Sequence, residues 1–572
     1  MNYLKAFLML MFIIFISVVL FSCDSKEGAD LVLLNGKIAT IDKNYPEAEA
    51  IAIQGDTILA VGTTEEIEKL IGDNTEVIDL EGKFVMPGFY DSHLHFYSLG
   101  ALKLKLDLRD AEYWSDIVNI VANDVKNKKP GEWIIGRSWH QEKWKEVDYI
   151  SVDGFPTSEE LDKVSPDNPV LLTHASGHAI IANKKAMELA GITNETVTPP
   201  GGEIVKDENG NPTGVFKEDA SSLIYYAYNK YLDKRSPEEI KQTDIQILKF
   251  ADEECLANGI TSVTDASSSF DIIDLYKELY DKNELNVRMS VMIYESNENL
   301  NKKIADYKII GYANNHLTVR AIKQFIDGAL GSRSAWFFEP YNDKPTDIGI
   351  NVTSLEYLEE TANIAIDNDF QLCTHAIGDR GNKEMLDIYE KVMKQHPDKK
   401  DLRWRIEHAQ HLAKNEINRF SQLGVIASMQ GCHATSDGPY IVKRLGEERG
   451  KAESYVWRDL LNAGTIICNG TDAPVELVSP ILCFYSSVTR KMSDGIEFTP
   501  EQKMTRMEAL ESYTINSAYA SFEENIKGSL TPGKLADIIV LSNNLLTCSD
   551  EDIPKTEVLY TIIGGEILYQ SK

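Results

Sequence analysis

The segment VMPGFYDSHLH, residues 85–95, carries the strongest structural signal in this sequence. It is an apolar run that ends in His93 and His95. Side chains two residues apart on a strand point to the same side, so both imidazoles can face one direction. Two converging imidazoles provide half of a tetrahedral metal site. A His-x-His pair alone is weak evidence, because many such pairs simply pack in a core.

Seven further apolar, β-rich runs follow the first one, and helix-like patterns such as residues 355–367 and 383–394 lie between them. Apolar strands that alternate with helices are typical of parallel strands buried on both faces. Eight of them predict a closed barrel, so we expect an α/β fold, a (β/α)8 TIM barrel, over residues 87–524. The seven runs are residues 260–266, 287–294, 319–327, 370–377, 404–409, 425–430 and 465–472.

The segment between the first two strand candidates is too long for a single barrel helix. Residues 97–254 have strand signals of their own, so we predict a large insertion on the substrate side of the barrel after its first strand. Short strands with Asn-Gly and Gly-Asp turns begin near residue 31, and a similar texture returns after residue 536. We therefore predict a small β-sandwich domain built from both chain ends, residues 23–86 and 525–572.

Polar residues gather where the predicted barrel strands end, which is where barrel enzymes place their chemistry. His375 ends the fifth run, His408 ends the sixth and Asp472 ends the eighth. Each one alone is more simply explained as a hydrogen-bonded core histidine or a helix-capping aspartate. Together with His93 and His95 they predict a metal site at the mouth of the barrel.

These residues resemble the amidohydrolase superfamily, and the longer phrases resemble its amidohydrolase-3 branch, which includes N-substituted formamide deformylase-like proteins. The resemblance extends from about residue 29 to the C-terminus, with the motifs in the family's order. The phrases are VMPGFYDSHLH (85–95), IKQFIDGALGSR (322–333), HAIGD (375–379), MQ (429–430) with His433, GTDAPV (470–475) and GSLTPGKLAD (528–537).

The resemblance implies a set of metal ligands. His93, His95, His375 and His408 are the implied histidine ligands, and Asp472 is implied as both ligand and general base. Lys323 stands where related enzymes carry a carboxylated lysine that bridges two metals. A protonated ammonium has no lone pair to give, so Lys323 implies carboxylation, a single-metal site, or a buried ion pair with Asp327. The expected cofactor is a divalent metal, zinc by preference, with one or two ions per chain.

The implied function is metal-dependent hydrolysis of a non-peptide carbon–nitrogen bond in a small molecule. An amide or an N-acyl or N-formyl compound is the expected substrate, attacked by metal-activated hydroxide with Asp472 as general acid and base. The alternatives are an aminohydrolase (deaminase), an esterase or lactonase on the same barrel, or a solute-binding lipoprotein without catalysis.

Further residues are candidates for substrate contact. Arg333 follows the fourth strand and His433 follows the seventh, while the insertion offers His178 and Trp139. For each of them, a solvated loop position or a local hydrogen bond explains the residue equally well.

The N-terminus predicts export. Lys5 precedes an apolar run at residues 6–21, and LFSC at residues 20–23 resembles a bacterial lipobox. We therefore expect a lipoprotein signal peptide at residues 1–22. Cys23 would then be lipidated and hold the protein to a bacterial membrane on its periplasmic or cell-surface side. The alternative is an uncleaved transmembrane anchor.

Composition limits the remaining partners. The chain has 572 residues with 58 basic and 89 acidic side chains, a net charge of −31, which repels nucleic-acid phosphates. Nucleic acid is therefore excluded as an expected partner, while a homodimer stays open. The seven cysteines show no CxxC pair and no regular spacing, so we predict neither a disulfide framework nor a zinc knuckle.

Overall fold

The computed structural model describes residues 28–572. The predicted signal peptide and the predicted lipidation at Cys23 lie outside these described residues. Within residues 28–572, each helix is too short or too polar to cross a membrane.

Eight parallel strands form a nearly closed barrel in sequence order, which confirms the predicted (β/α)8 fold. Each strand is almost entirely buried, because helices cover the outside and side chains fill the inside. We number them as barrel strands one to eight. They are Phe89–Leu94, Ile260–Ser268, Arg288–Ile293, Leu317–Phe325, Gln371–Ala376, Arg405–His408, Ile426–Gln430 and Ile467–Gly470.

The barrel closes where the first strand meets the segment after the eighth. The backbone N–H of Asp472 donates to the carbonyl of His93 at 2.8 Å, and His95 N–H donates to the carbonyl of Ala473 at 2.9 Å. A side chain at Gly470 would place its Cβ 2.5 Å from the backbone nitrogen of His93, so only glycine allows this approach. Barrel closure therefore brings the His-x-His motif next to Asp472.

Helices connect the strands and cover the barrel. Pro237–Ala257 begins with a capping box, in which the Ser236 hydroxyl accepts from Glu239 N–H and the Glu239 carboxylate accepts from Ser236 N–H. The other α-helices that accompany the barrel are Phe96–Leu102, Phe270–Asp281, Asn297–Lys303, Tyr312–Asn315, Leu355–Asp367, Asp379–Gln395, Ile417–Leu423, Gly431–Leu445, Glu447–Glu453, Trp457–Asn462, Pro480–Thr489, Arg506–Ser512 and Ile515–Ala520. Short 3-10 helices occur at Ile304–Tyr307, Pro500–Gln502 and Asp550–Lys555.

The insertion lies inside the predicted range 97–254 but does not fill it. Helices Phe96–Leu102 and Pro237–Ala257, at its two ends, pack on the barrel through Leu99, Leu248 and Ala251. Between them stands a six-stranded sheet in the order Gly202–Lys206, Pro212–Glu218, Ala179–Ala182, Val170–His174, Ile134–Trp139 and Leu106–Asp107. The sheet has a separate apolar core on each face. Its helices are Trp114–Val125, Glu159–Val164, Lys184–Leu189 and Ser222–Leu232, with a hairpin of Ser151–Val152 and Phe155–Pro156 and 3-10 turns at Gln141–Lys143 and Asp219–Ser221.

Strands from the two chain ends form two further sheets. The four-stranded sheet runs Thr57–Gly62, Ala50–Gln54, Leu31–Leu34 and Glu76–Asp79, and helix Thr64–Glu68 follows its edge strand. The six-stranded sheet runs Glu566–Gln570, Val558–Ile563, Ile538–Leu541, Phe84–Pro87, Lys37–Ala39 and Glu47–Ala48. Both sheets contribute to one apolar core, in which Leu33 and Ile53 lie with Val85 and Ile538. One more strand, Ile309–Gly311, pairs antiparallel with the fourth barrel strand.

Candidate metal centre

Imidazoles and one carboxylate meet at the carboxyl ends of the barrel strands. His95 Nε2 lies 3.3 Å and His93 Nε2 3.7 Å from Asp472 Oδ1. The ring of His408 is centred 4.8 Å from that of His93 and 4.5 Å from that of His375. The structure therefore brings together all five residues that the strand ends predicted.

Each of three imidazoles is oriented by a partner on its Nδ1 atom. His93 Nδ1 contacts Glu407 Oε2 at 2.5 Å, and His408 Nδ1 contacts Gln430 Oε1 at 2.8 Å. His95 Nδ1 lies 3.2 Å from a serine hydroxyl at position 267. Holding Nδ1 leaves Nε2 as the atom that can bind a metal, and metal-ligating histidines in proteins are held in this way.

Left-handed backbone at two strand ends shapes the cluster. Neighbouring residues on a regular strand point to opposite faces, which would separate Glu407 from His408. His408 has φ of 74°, so the strand ends there and both side chains reach His93. Asp472 has φ of 57° in the turn after the eighth strand. Such conformations cost a non-glycine residue about 1–3 kcal/mol and tend to occur at functional sites.

Burial sets the protonation states that metal ligands need. Burial, aided by the charge of Lys323, lowers the pKa of His93 to about 4, and burial also lowers the pKa of His375 and His408. Burial opposes ionisation of Asp472, yet the neighbouring imidazoles of His433 and His95 hold the pKa of that carboxyl well below its usual range. His93, His375 and His408 are thus neutral and Asp472 is ionised, which are the ligating forms.

One oxygen of Asp472 indicates that these residues fit a cation. Asp472 Oδ1 is buried and accepts no hydrogen bond, although imidazole nitrogens lie close to it. A buried carboxylate oxygen without a partner is unfavourable unless an ion satisfies it. The potential ligating atoms form two groups, and within each group they all lie within 4.8 Å of one another. One group is His93, His95 and Asp472, and the other is His408, His433 and Asp472. Nitrogen and carboxylate donors of this kind suit a divalent metal such as zinc.

Lys323 ends inside the cluster. Its Nζ lies 3.4 Å from His93 Nε2 and 4.7 Å from the centre of the Phe325 ring, and burial lowers the pKa of its ammonium. The alternative pairing with Asp327 is not formed. The Asp327 carboxylate instead accepts backbone N–H groups of Trp336, Ile377 and Gly378 at 2.7–3.0 Å.

A cavity opens above the cluster. It encloses about 70 Å³ of free space and opens to solvent at its mouth. Barrel residues His95, His375, His408, His433 and Asp472 line it, and the insertion adds His140, Lys143 and His178. Lys143 lies 3.2 Å from Glu476, 333 positions away along the chain. That distance along the chain explains why no sequence pattern identified Lys143 as a cavity residue.

The structure places two of the predicted substrate contacts away from the cavity. Trp139 is fully buried in the core of the insertion, where its indole N–H donates to the carbonyl of Leu172 at 3.0 Å. Arg333 pairs with Asp343 at 3.0 Å and donates to the carbonyl of Asp153 at 3.0 Å. Neither side chain lines the cavity. Both are occupied by packing or by contacts between the insertion and the barrel.

The two other predicted substrate contacts do lie at the cavity. His433 Nε2 lies 3.1 Å from Asp472 Oδ2, and hydrogen bonds to Asp472 and Glu476 overcome burial and raise the pKa of His433 to about 10. His178 Nδ1 lies 2.8 Å from Glu218, and its ring is centred 4.9 Å from that of His375.

Sequence reasoning missed the residues that support the cluster. Asp91 accepts N–H groups from Thr471 and His93, and its position two residues before His93 was a usable signal. Glu407 gave no such signal, because neighbouring residues on a strand are expected to point to opposite faces, which would separate Glu407 from His408. Its Oε1 atom lies 2.7 Å from Nε of the fully buried Arg405.

A donor set of this kind at the carboxyl end of an eight-stranded α/β barrel defines the class of metal-dependent barrel hydrolases. Residues 76–569 match the sequence model of the amidohydrolase family. The chain belongs to this family, as the motifs predicted, and is a metal-dependent hydrolase that acts on carbon–nitrogen bonds.

Known proteins similar to the chain extend over almost its full length. Protein LONG AFTER FAR-RED 3 of Arabidopsis thaliana is 34% identical over 556 residues, which cover 95% of this chain and 92% of the plant protein. N-substituted formamide deformylase of Arthrobacter pascens is 28% identical over 548 residues, covering 95% of this chain and 98% of that enzyme. The crystal structure of an uncharacterized metal-dependent hydrolase from Pyrococcus horikoshii OT3 matches with a TM-score of 0.72 and 28% identity, covering 91% of this chain and 99% of that one.

Proposed function

We propose that this protein hydrolyses an amide of a small molecule, and that an N-acyl or N-formyl amine is its substrate. The observation that carries the proposal is the buried, unpartnered Oδ1 of Asp472 beside the Nε2 atoms of His93 and His95. The similarity to N-substituted formamide deformylase supports the substrate class.

The proposed metal is zinc. His93, His95, His408 and Asp472 would hold it, with His433 within reach of the same carboxylate. His375 is proposed as a further ligand, because its ring is centred 4.5 Å from that of His408. When bound, a divalent cation lowers the pKa of water from 15.7 towards about 7 and polarises a carbonyl oxygen. Asp472 would accept a proton from the attacking water and deliver it to the leaving nitrogen. His178, whose Nδ1 is held by Glu218, can use Nε2 to donate to the carbonyl oxygen as it gains charge.

Lys323 decides how many metals are held. We propose that its Nζ, 3.4 Å from His93 Nε2, reacts as the neutral amine with CO₂ and loses a proton, and that the resulting carbamate would help to hold a second ion. Addition of 13C-bicarbonate to metal-loaded protein should give a carbamate carbon signal that is missing from a Lys323→Gln variant. A wild type without this signal and with one metal per chain would restrict the site to a single ion.

The function is tested by product analysis and metal content together. Wild type should contain at least one zinc per chain and release an amine and a carboxylate, or formate, from N-substituted formamides or N-acyl amines. A variant with both His93→Ala and His95→Ala should lose metal and turnover, whereas His396→Gln, outside the cluster, should retain both. Ammonia as the product would favour a deaminase, and turnover of esters alone would favour an esterase or lactonase. A well-folded wild type without metal or turnover would favour a binding protein.

Export and anchoring are separate proposals that rest on the sequence of residues 1–23. A lipidated Cys23 should place the protein in the membrane fraction, and Cys23→Ser should release it or leave the signal peptide attached. Mass analysis of the N-terminal peptide distinguishes these cases from an uncleaved anchor. The division into residues 23–86 with 525–572 and residues 87–524 is likewise proposed, as is a homodimer, which sedimentation of the mature protein tests.

A further inference from the structure

Two cysteines face each other behind the metal centre. Cys432 is the second residue of helix Gly431–Leu445, and Cys483 lies in the first half of helix Pro480–Thr489. Their Sγ atoms are 2.6 Å apart, although 51 positions separate them along the chain. Non-bonded carbon atoms pack about 3.5–4.0 Å apart and sulfur is larger, so this contact is too close for two independent thiols.

The two helices are pressed together at this point. A side chain at Gly431 would place its Cβ 2.2 Å from the carbonyl oxygen of Cys483. One turn further on, Thr435 Oγ1 lies 2.9 Å from Ser486 Oγ, and each of these residues follows its cysteine by three positions. The cysteine pair therefore belongs to a continuous helix–helix contact, which holds both sulfur atoms at short range.

We propose that Cys432 and Cys483 form a disulfide bond that joins these two helices. The oxidant is a disulfide of another molecule, either a small-molecule disulfide or an oxidised dithiol protein. The Cys432 thiolate, on the more exposed of the two residues, attacks one sulfur of the oxidant and releases the first thiol. The Cys483 thiolate then attacks Cys432 Sγ and releases the second thiol. The two protein thiols lose two protons and two electrons, and the oxidant disulfide becomes two thiols.

The bond would act as a positioning device for the metal centre. Cys432 is next to His433, whose Nε2 lies 3.1 Å from Asp472 Oδ2. Joining Cys432 to the neighbouring helix fixes the first helical turn, and with it the direction of the His433 ring. The bond itself does not depend on the proposed catalytic function, because it follows from the contact between the helices.

Thiol mapping tests the bond directly. The full-length protein is equilibrated with oxidised glutathione, denatured in excess N-ethylmaleimide and digested with trypsin without reductant. The expected product is a crosslinked pair of peptides, residues 420–443 with residues 459–490, in which fragmentation assigns the link to Cys483 rather than Cys468. Cys548→Ser, at another half-buried cysteine, should leave this product unchanged, and Cys432→Ser should abolish it.

Two further readouts separate the bond from its role. Reduction with a phosphine, which binds zinc less strongly than dithiols do, should lower the Tm of wild type by on the order of 2–5 °C and leave Cys432→Ser unaffected. It should also weaken zinc binding in wild type, measured by competition with a chromogenic chelator. Maleimide on both Cys432 and Cys483 after oxidation, or glutathione on Cys432 with maleimide on Cys483, would overturn the proposal even if the serine variants fail to fold.

Discussion

Asp472 carries the chemistry of the site because its two oxygens have different surroundings. Oδ2 lies 3.1 Å from His433 Nε2. Oδ1 is buried near the Nε2 atoms of His93 and His95, and it accepts no hydrogen bond. One oxygen is therefore held in place by the protein, and the other remains as a ligand or proton acceptor. A residue that only capped a helix would have no reason to keep Oδ1 unpartnered.

Asp472→Asn should remove most of the activity. An amide is isosteric with the carboxylate but neither takes up a proton at neutral pH nor binds a cation as strongly. We expect kcat to fall by about 10²–10⁴-fold, the usual contribution of general acid–base catalysis, together with a loss of zinc. Kinetics at saturating metal separate the two effects. Exposed Asp494→Asn is the matched control, and equal losses in both variants would contradict the assigned role.

Glu407→Gln should weaken metal binding without touching a ligand. Glu407 orients His93 through Nδ1 and neutralises Arg405, and all three side chains are fully buried. We expect zinc affinity to fall by about 10–100-fold. The free energy of unfolding should fall by about 3–5 kcal/mol, because Arg405 keeps an uncompensated buried charge.

The control for this prediction is Glu508→Gln, which affects the partly exposed pair with Arg458. A glutamine preserves its capping box with Thr505, and an exposed ion pair contributes only about 0–1 kcal/mol. Chelator competition and denaturant unfolding measure both variants. Unchanged zinc affinity in Glu407→Gln would show that His93 needs no such support.

Among the elements, the first and eighth barrel strands determine whether the site forms. They contribute His93, His95 and, just beyond the eighth strand, Asp472, and they meet where Gly470 passes the backbone of His93. Close packing at this junction is therefore a condition for metal binding as well as for barrel closure.

Gly470→Ala should separate these two strands. The new methyl group would lie 2.5 Å from the backbone nitrogen of His93, a contact that the backbone cannot avoid, and 2.5 Å from a carboxylate oxygen of Asp91. We expect a loss of about 1–3 kcal/mol in unfolding free energy, as for other overpacked sites, and weaker zinc binding. Ile467→Val on the same strand should cost about 0.5–1.5 kcal/mol and leave zinc binding unchanged. If both variants bind zinc equally well, closure is not coupled to the site.

In the molecule as a whole, charged side chains connect the insertion to the barrel beside the cavity. Arg444, fully buried on helix Gly431–Leu445, lies 2.5 Å from Glu142 of the insertion and also pairs with Asp343 after the fourth strand. The neighbouring Lys443 binds the same Glu142 at 2.8 Å but is 54% exposed. Glu142 therefore contacts two cations, of which Arg444 is buried and Lys443 is exposed.

Arg444→Gln should loosen the insertion, whereas Lys443→Gln should not. Without Arg444, Glu142 keeps the exposed Lys443 and Asp343 keeps Arg333. We therefore expect a loss of about 1.5–3 kcal/mol for the buried charged contacts of Arg444, against about 0–1 kcal/mol for the exposed lysine. We expect faster proteolysis of the insertion and a higher KM in Arg444→Gln, because Lys143 and His178 would lose their positions. Equal proteolysis of the two variants would contradict this role of Arg444.

Metal removal should destabilise the whole barrel. The candidate ligands come from strands far apart in the sequence, so a bound ion stabilises only the closed form. At a zinc concentration of 1,000 times Kd the gain is about 4.1 kcal/mol, which chelation would remove and added zinc restore. Thermal unfolding with and without chelator measures this. The variant with both His93→Ala and His95→Ala should show no such shift, and a shift there would point to zinc bound elsewhere.

The sequence by itself determined the barrel and the residues at its strand ends. Strand burial and helical periodicity are local patterns, so the eight apolar runs and the positions of His375, His408 and Asp472 could be read without coordinates. The resemblance to the family added Lys323 and the order in which the motifs follow one another along the chain. None of this information required knowing which residues touch across the fold.

Only the tertiary structure decided the contacts between distant segments. Glu407 reaches His93 because His408 leaves the strand geometry, Lys143 enters the cavity from an inserted sheet, and Cys432 meets Cys483 across two packed helices. It also placed Trp139 and Arg333 away from the cavity. Such pairs are fixed by the packing of whole elements, so residues far apart in the sequence carry no local pattern that reveals them.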